Sequence, residues 1–165
     1  MSGYFKASFM SVMLTSCFTQ CEPSREKMTP LQVLERYIDV STGMDDVKQR
    51  AILLSLTGGA LHAALEGATD EAIEEAFIAR ELELDNFVVI SETEHTPVER
   101  DIAFLISYYD SSDGKKKDER PLVSVRNTVR MFKQDGVWSV VDVIGAEGSE
   151  ITFGLTPDAI ISGSD

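Results

Sequence analysis

The chain has 165 residues, of which 43% are hydrophobic and 26% charged, which suits one folded domain with a core that needs no disulfide staples. Its net charge is −13 at pH 7 and its pI is about 4.5, which argues against nucleic acid or anionic lipid surfaces as partners wherever positive charge is not locally concentrated. Taken alone, such acidity reads as solubility.

Residues 1–16, MSGYFKASFMSVMLTS, carry one lysine, Lys6, and no acid, and run into a mostly apolar stretch. That stretch is too short for a membrane span, which needs about 20 apolar residues, and it has the length of a signal-peptide apolar region. Leu14, Thr15, Ser16 and Cys17 stand at its end. In this order they resemble the cleavage site of a bacterial lipoprotein signal peptide, where leucine and two small residues precede a cysteine. The resemblance implies that residues 1–16 are removed, that the Cys17 thiol receives a diacylglyceryl group, and that Cys17 becomes a palmitate-bearing N-terminus. Several acyl chains would then hold the protein on a membrane, each buried CH₂ contributing about 0.8 kcal/mol. The alternatives are an ordinary secretory or N-terminal anchor segment, and a cytoplasmic protein with a chance match. Phe18, where the family's inner-membrane members carry aspartate, implies the outer membrane if the envelope is Gram-negative.

Cys21 is the second cysteine. Both precede the folded region, so no disulfide inside the core is expected, and two thiols fall short of the four donors of a closed metal site. No cofactor or metal is expected. Residues 17–28 are polar, contain Pro23, and read as a lipidated tether.

Thr29-Pro30 opens a first helix, with threonine as N-cap and proline where its missing N–H costs nothing. Leu31, Leu34, Tyr37 and Ile38 share a face, and the helix should stop near Gly43. A second helix is expected from Asp45-Asp46, interrupted at Gly58-Gly59 and resumed over Ala60–Leu65. His62 lies four residues before Glu66, within reach of a hydrogen bond on a helix. Thr69 caps a third helix bearing Ala72, Ile73, Ala76 and Phe77, closed by Arg80.

Beyond Leu84 the period shortens. Phe87–Ile90 begin a strand that turns polar over Ser91–His95 and breaks at Thr96-Pro97. The next strand, Ile102–Tyr109, is apolar on both faces and should lie inside the sheet. Residues 110–120 form a polar hairpin tip with Lys115, Lys116 and Lys117 offset by Asp113, Asp118 and Glu119. Leu122–Ile144 then reads as a long hairpin. Val123, Val125, Val129 and Met131 alternate with Ser124, Arg126, Thr128 and Arg130, and Asp135-Gly136 is a type I′ turn signal. Glu150–Leu155 offers a short edge strand and 156–165 a flexible tail.

Three N-terminal helices packed on a curved antiparallel sheet of four to five strands make an α+β domain over residues 29–155. The element order, the meander and the stretch QDGVWSVVDV at Gln134–Val143 resemble the NTF2-like, cystatin-like cone superfamily. That resemblance implies a conical pocket between sheet and helices and homodimers through the sheet's outer face. It does not choose among enzymes, binding modules and subunits. A non-enzymatic, lipid-anchored envelope protein binding a small ligand or a partner protein is the leading expectation. An isomerase or dehydratase would need an acid or base in an apolar cone, and Tyr37, His62 and Asp142, with Trp138 as a wall, are the candidate pocket residues. A structural subunit of an envelope assembly is the third reading.

Overall fold

Thr29 starts the first helix as its sequence suggests: its hydroxyl accepts from the Gln32 N–H and the Gln32 side chain accepts from the Thr29 N–H, a reciprocal capping box ahead of Pro30. The computed structural model describes residues 24–79, 82–110 and 122–145. Within them the helices are α1 (Pro30–Thr42), α2 (Arg50–Leu56), α3 (Gly59–Gly67) and α4 (Asp70–Ile73), and the strands are β1 (Leu82–Thr96), β2 (Glu99–Asp110), β3 (Leu122–Gln134) and β4 (Val137–Gly145). The chain is an α+β protein, with four described helices where three were expected, because the second divides. Short 3₁₀ turns stand at Arg25–Lys27 and at Val47–Gln49, the latter capped by Asp46.

The division occurs at Thr57-Gly58-Gly59, for a tertiary reason. Thr57 forms a parallel bridge with Val140 on β4, and the Gly58 N–H donates to the Val140 carbonyl at 2.9 Å. A side chain at Gly58 would lie 3.3 Å from both Ser139 and Val141, and Gly59 holds φ +57°. Two glycines let the helical layer touch the sheet backbone there. The third expected helix also departs from regularity: after Ile73 it widens into a π-turn over Glu74–Ile78, with the Ala79 N–H donating to the Glu74 carbonyl. Arg80 lies outside the described residues, as do the lysine-bearing tip, Glu150–Leu155 and the tail.

The strands form one antiparallel meander in the order β1-β2-β3-β4, placing β2 inside as its two-sided apolar pattern requires, with β3 beside it. Asp135 and Gly136 take φ of 53° and 87°, the left-handed values of the expected hairpin turn. On β3 the odd positions Val125, Val129 and Met131 are buried, and across the ladder they meet Ile106, Ile102 and Val140. This inner face packs on Val33, Leu34, Tyr37 and Ile38 of α1, Leu53 and Leu56 of α2, Leu61 and Leu65 of α3, and Ile73. Most of these side chains are fully enclosed, and each aliphatic or aromatic one contributes about 1.5–3 kcal/mol by leaving water. The space between sheet and helices is filled by them.

Register shifts interrupt β1 at three places, and one more falls on β4, where Arg130 faces Asp142 and Met131 faces Val140. Val141 is therefore an extra residue, and a bulge of this kind bends its strand and re-aims the side chains beyond it.

Candidate functional site

The helices cover the inner face only in part, and the sequence marks where cover ends. At the end of the sheet near the β1–β2 and β3–β4 turns, the inward positions change from apolar to charged: Glu92 and Glu94 on β1, Arg100 on β2, Lys133 on β3. They surround Trp138 of β4, directly opposite Lys133. The Arg100 guanidinium lies over the indole at 5.4 Å from its centroid, and the Lys133 ammonium at 5.7 Å. Both contacts fall within the range of cation–π attraction.

Two glutamates hold Arg100 in place. One terminal nitrogen donates to Glu92, and the other to Glu94 at 2.7 Å. The hydrogen bond to Glu92 keeps the guanidinium pKa above its ordinary value, desolvation opposes this, and the charges of Glu94 and Glu92 add to it. Its Nε is buried and has no partner among the described residues.

The last wall comes from the segment expected to be a free tether. Residues 24–28 are instead docked: the Arg25–Lys27 turn lies against β4, with an Arg25 terminal nitrogen donating to the Ser139 hydroxyl at 2.9 Å. Burial lowers the Arg25 pKa, and its Nε is buried without a described partner. Between this strap, the start of α1 and the sheet end lies a cleft of about 630 Å³, lined by Lys27, Met28, Pro30, Arg100, Lys133 and Trp138 among others. A second cleft of about 530 Å³ lies on the far side of the strap, between α1 and α2, bounded by Arg25, Met28, Gln32, Arg36 and Ile52. The strap is the wall common to both.

The four candidate pocket residues do not converge. Trp138 alone lines a cleft, and it is also a core residue, only 6% exposed. Tyr37 is fully enclosed in the core. Its hydroxyl has no hydrogen-bond partner among the described residues, and burial pushes its pKa upward. His62 does not reach Glu66 as expected. Its Nδ1 lies 3.0 Å from the Leu54 carbonyl, so the N–H tautomer at that nitrogen satisfies a carbonyl in the last turn of α2. Asp142 is turned away: an uninterrupted period of two would keep it with Trp138 and Val140, but the Val141 bulge pairs it with Arg130 on the outer face. Cys17 lies outside the described residues.

On that outer face Asp101 accepts from Arg130 at 3.1 Å and pairs with His95 Nε2 at 2.9 Å, and Glu99 stands 3.6 Å from Arg130. Partial burial works to raise the Asp101 pKa. Hydrogen bonds and charge from Arg130 and His95 outweigh it, so the carboxyl sits below the usual aspartate range. Val88, Leu122, Phe132 and Ile144 are exposed on the same face but are scattered over three strands. Among the described residues no helix is long and apolar enough to cross a membrane, and no three His, Cys, Asp or Glu residues are grouped to hold a metal ion.

No protein-family model matches the sequence, and no curated protein matches it. Among solved structures it is similar to the intermembrane-space region of the chloroplast protein ARC6, at 10% identity and TM-score 0.48 over 73% of this chain and 99% of that one. It is also similar to a SEC-C motif containing protein from Rhodopseudomonas palustris, at 12% identity and TM-score 0.47 over 72% of this chain and 80% of that one. An NTF2-like protein involved in plasmid conjugation is similar at 9% identity and TM-score 0.34, over 63% of this chain and 48% of that one. At these values none of them says what this chain binds.

Proposed function

We propose a lipid-anchored cell-envelope protein, held on its membrane through Cys17, whose NTF2-like cone works by binding rather than by catalysis. The observation that carries the binding half is the contrast between a filled interior and an open mouth. Tyr37, Phe104 and Ile106 are enclosed, while Trp138, Arg100, Lys133 and the strap frame an accessible cleft. A cleft with an aromatic floor and a few convergent polar groups suits a small ligand or a peptide segment. The anchoring half rests on Leu14–Cys17. The outer membrane is the proposed address if the envelope is Gram-negative.

The isomerase or dehydratase alternative draws support from one observation, the unpartnered Tyr37 hydroxyl inside the core. A general acid must lie within hydrogen-bond reach of its substrate, and neither cleft is lined by Tyr37. Scattered apolar residues on the outer face are ordinary for a soluble surface, so they add nothing to the homodimer or subunit reading. Labelling with radioactive palmitate in a lipoprotein-competent host tests the anchor: the wild type should incorporate label and Cys17→Ser should not. Equal labelling of both would remove Cys17 from the account.

A further inference from the structure

The chain enters its described part at the end of the sheet where the β1–β2 and β3–β4 turns lie. The Arg25–Lys27 strap shares the mouth cleft with Pro97 of the first turn and Gly136 of the second. It is held there by more than one contact. Its backbone closes on itself, the Lys27 N–H donating to the Ser24 carbonyl at 2.8 Å and the Met28 N–H to the Arg25 carbonyl at 3.2 Å. Met28 packs against the core, and Arg25 donates to Ser139 on β4. Docking therefore moves the first fixed point of the chain from Thr29, the cap of α1, back to Ser24.

That change matters because Cys17, the proposed site of the lipid, stands only seven residues before Ser24. Seven peptide units span at most about 25 Å however they are arranged, against about 43 Å for the twelve that would precede a free Thr29. From these placements we infer that the strap-bearing end of the sheet is the end that faces the membrane, held within about 25 Å of the lipid surface, so that both clefts open beside the bilayer. The inference rests on the anchoring half of the proposed function and adds an orientation to it.

The acidity of the chain does not oppose this. Repulsion between the net charge of −13 and an anionic surface decays over about 8 Å at physiological salt, well inside the reach of the tether. Chain length sets the upper limit. At the other end of the sheet, β3 starts at Leu122 opposite Tyr109, and it runs to Gln134 opposite Val137 at the strap end. Twelve steps of about 3.4 Å put Leu122 and Gln134 about 40 Å apart, farther than the tether reaches. Averaged over the orientations the tether permits, the Leu122 end lies farther out.

Energy transfer to labelled lipid reads this orientation. Gln134 and Leu122 are both exposed, so Gln134→Cys and Leu122→Cys, each with Cys21→Ser, offer one reactive thiol beside a lipid-capped Cys17. Each palmitate-bearing chain carries a donor dye and is added to preformed phosphatidylcholine vesicles with acceptor-labelled headgroups. Transfer from position 134 should exceed transfer from position 122 severalfold. Arg25→Gln with Ser139→Ala frees the strap, and transfer from position 134 should then fall. Equal transfer from the two positions, greater transfer from position 122, or a strap variant that transfers as well as its parent overturns the inference. Circular dichroism checks that the variants fold, and Arg25→Gln alone gives a second reading. A chain that takes no palmitate fails at the anchor and removes the inference with it, whereas a palmitate-bearing chain without the transfer difference fails in orientation alone.

Discussion

Arg100 stands over the ring of Trp138 with its guanidinium carbon 5.4 Å from the ring centroid, two strands away across Met131. The contact joins the start of β2 to the start of β4 and closes the inner face where the helices no longer cover it. Replacing Arg100 by glutamine leaves Glu92 and Glu94 facing each other beside an uncovered indole. The Arg100 side chain is 28% exposed, so solvent screens part of the ion-pair energy. A loss of about 1–2 kcal/mol is expected from the ion pairs and the cation–π contact together. Urea unfolding monitored by tryptophan emission checks it, and an unchanged midpoint would count against the arrangement.

Tyr37 gives a prediction of opposite sign. Its hydroxyl is buried with no partner among the described residues, a burden of about 1–3 kcal/mol for a group of this kind. Tyr37→Phe keeps the ring in place and removes that burden, so stability should be unchanged or should rise by about 1 kcal/mol. A drop of similar size in the thermal midpoint measurement would reveal a hydrogen bond that the hydroxyl makes through water.

Asp101 links stability to acid. Its folded pKa lies below the unfolded value, so its contribution is fully present above the ordinary aspartate pKa of about 3.9 and is lost as pH falls toward the folded value. The stability gap between wild type and Asp101→Asn should therefore narrow as pH drops below about 4. Denaturant titrations at several pH values measure it. A gap that fails to narrow contradicts the pairing of Asp101 with Arg130 and His95.

Two glycines separate a backbone effect from a space effect. Gly59 has φ +57°, close against Val141, whereas Gly67, the last residue of α3, has open space around it. Gly59→Ala should cost about 1 kcal/mol, because a side chain disfavours left-handed backbone. Gly67→Ala should be neutral or stabilise by about 0.5 kcal/mol, through the better helix propensity of alanine. If Gly59→Ala left the thermal midpoint unchanged or raised it, the left-handed backbone at Gly59 would be contradicted.

Much of this architecture was legible from local pattern. The Asp135-Gly136 turn, the Thr29 cap and the interior position of β2 depend on residues adjacent in sequence, and each forms as read. The features that escaped depend on distant partners. Asp142 lies on the polar face, where a strand aspartate is ordinarily expected, but the Val141 bulge that carries it there is an inserted residue that no period-two count anticipates. His62 finds the Leu54 carbonyl because α2 ends within reach, although Glu66 is the nearer candidate in sequence. The mouth was hidden for a different reason: Glu92, Glu94, Arg100 and Lys133 are charged, and charge in a strand normally signals the solvent face. Only the register, which places Glu94 opposite Arg100 and Lys133 opposite Trp138, shows that these charges point inward at an end the helices leave open. Polar composition likewise made residues 24–28 read as a tether, whereas the Arg25–Ser139 bond ties them to β4.

Mass spectrometry of the N-terminal peptide, from protein made in a lipoprotein-competent host, tests the central claim most directly. The account predicts a chain beginning at Cys17, with the mass of a thioether-linked diacylglyceryl group and its acyl chains. An intact chain beginning at Met1, or one cleaved elsewhere with an unmodified Cys17, would contradict it.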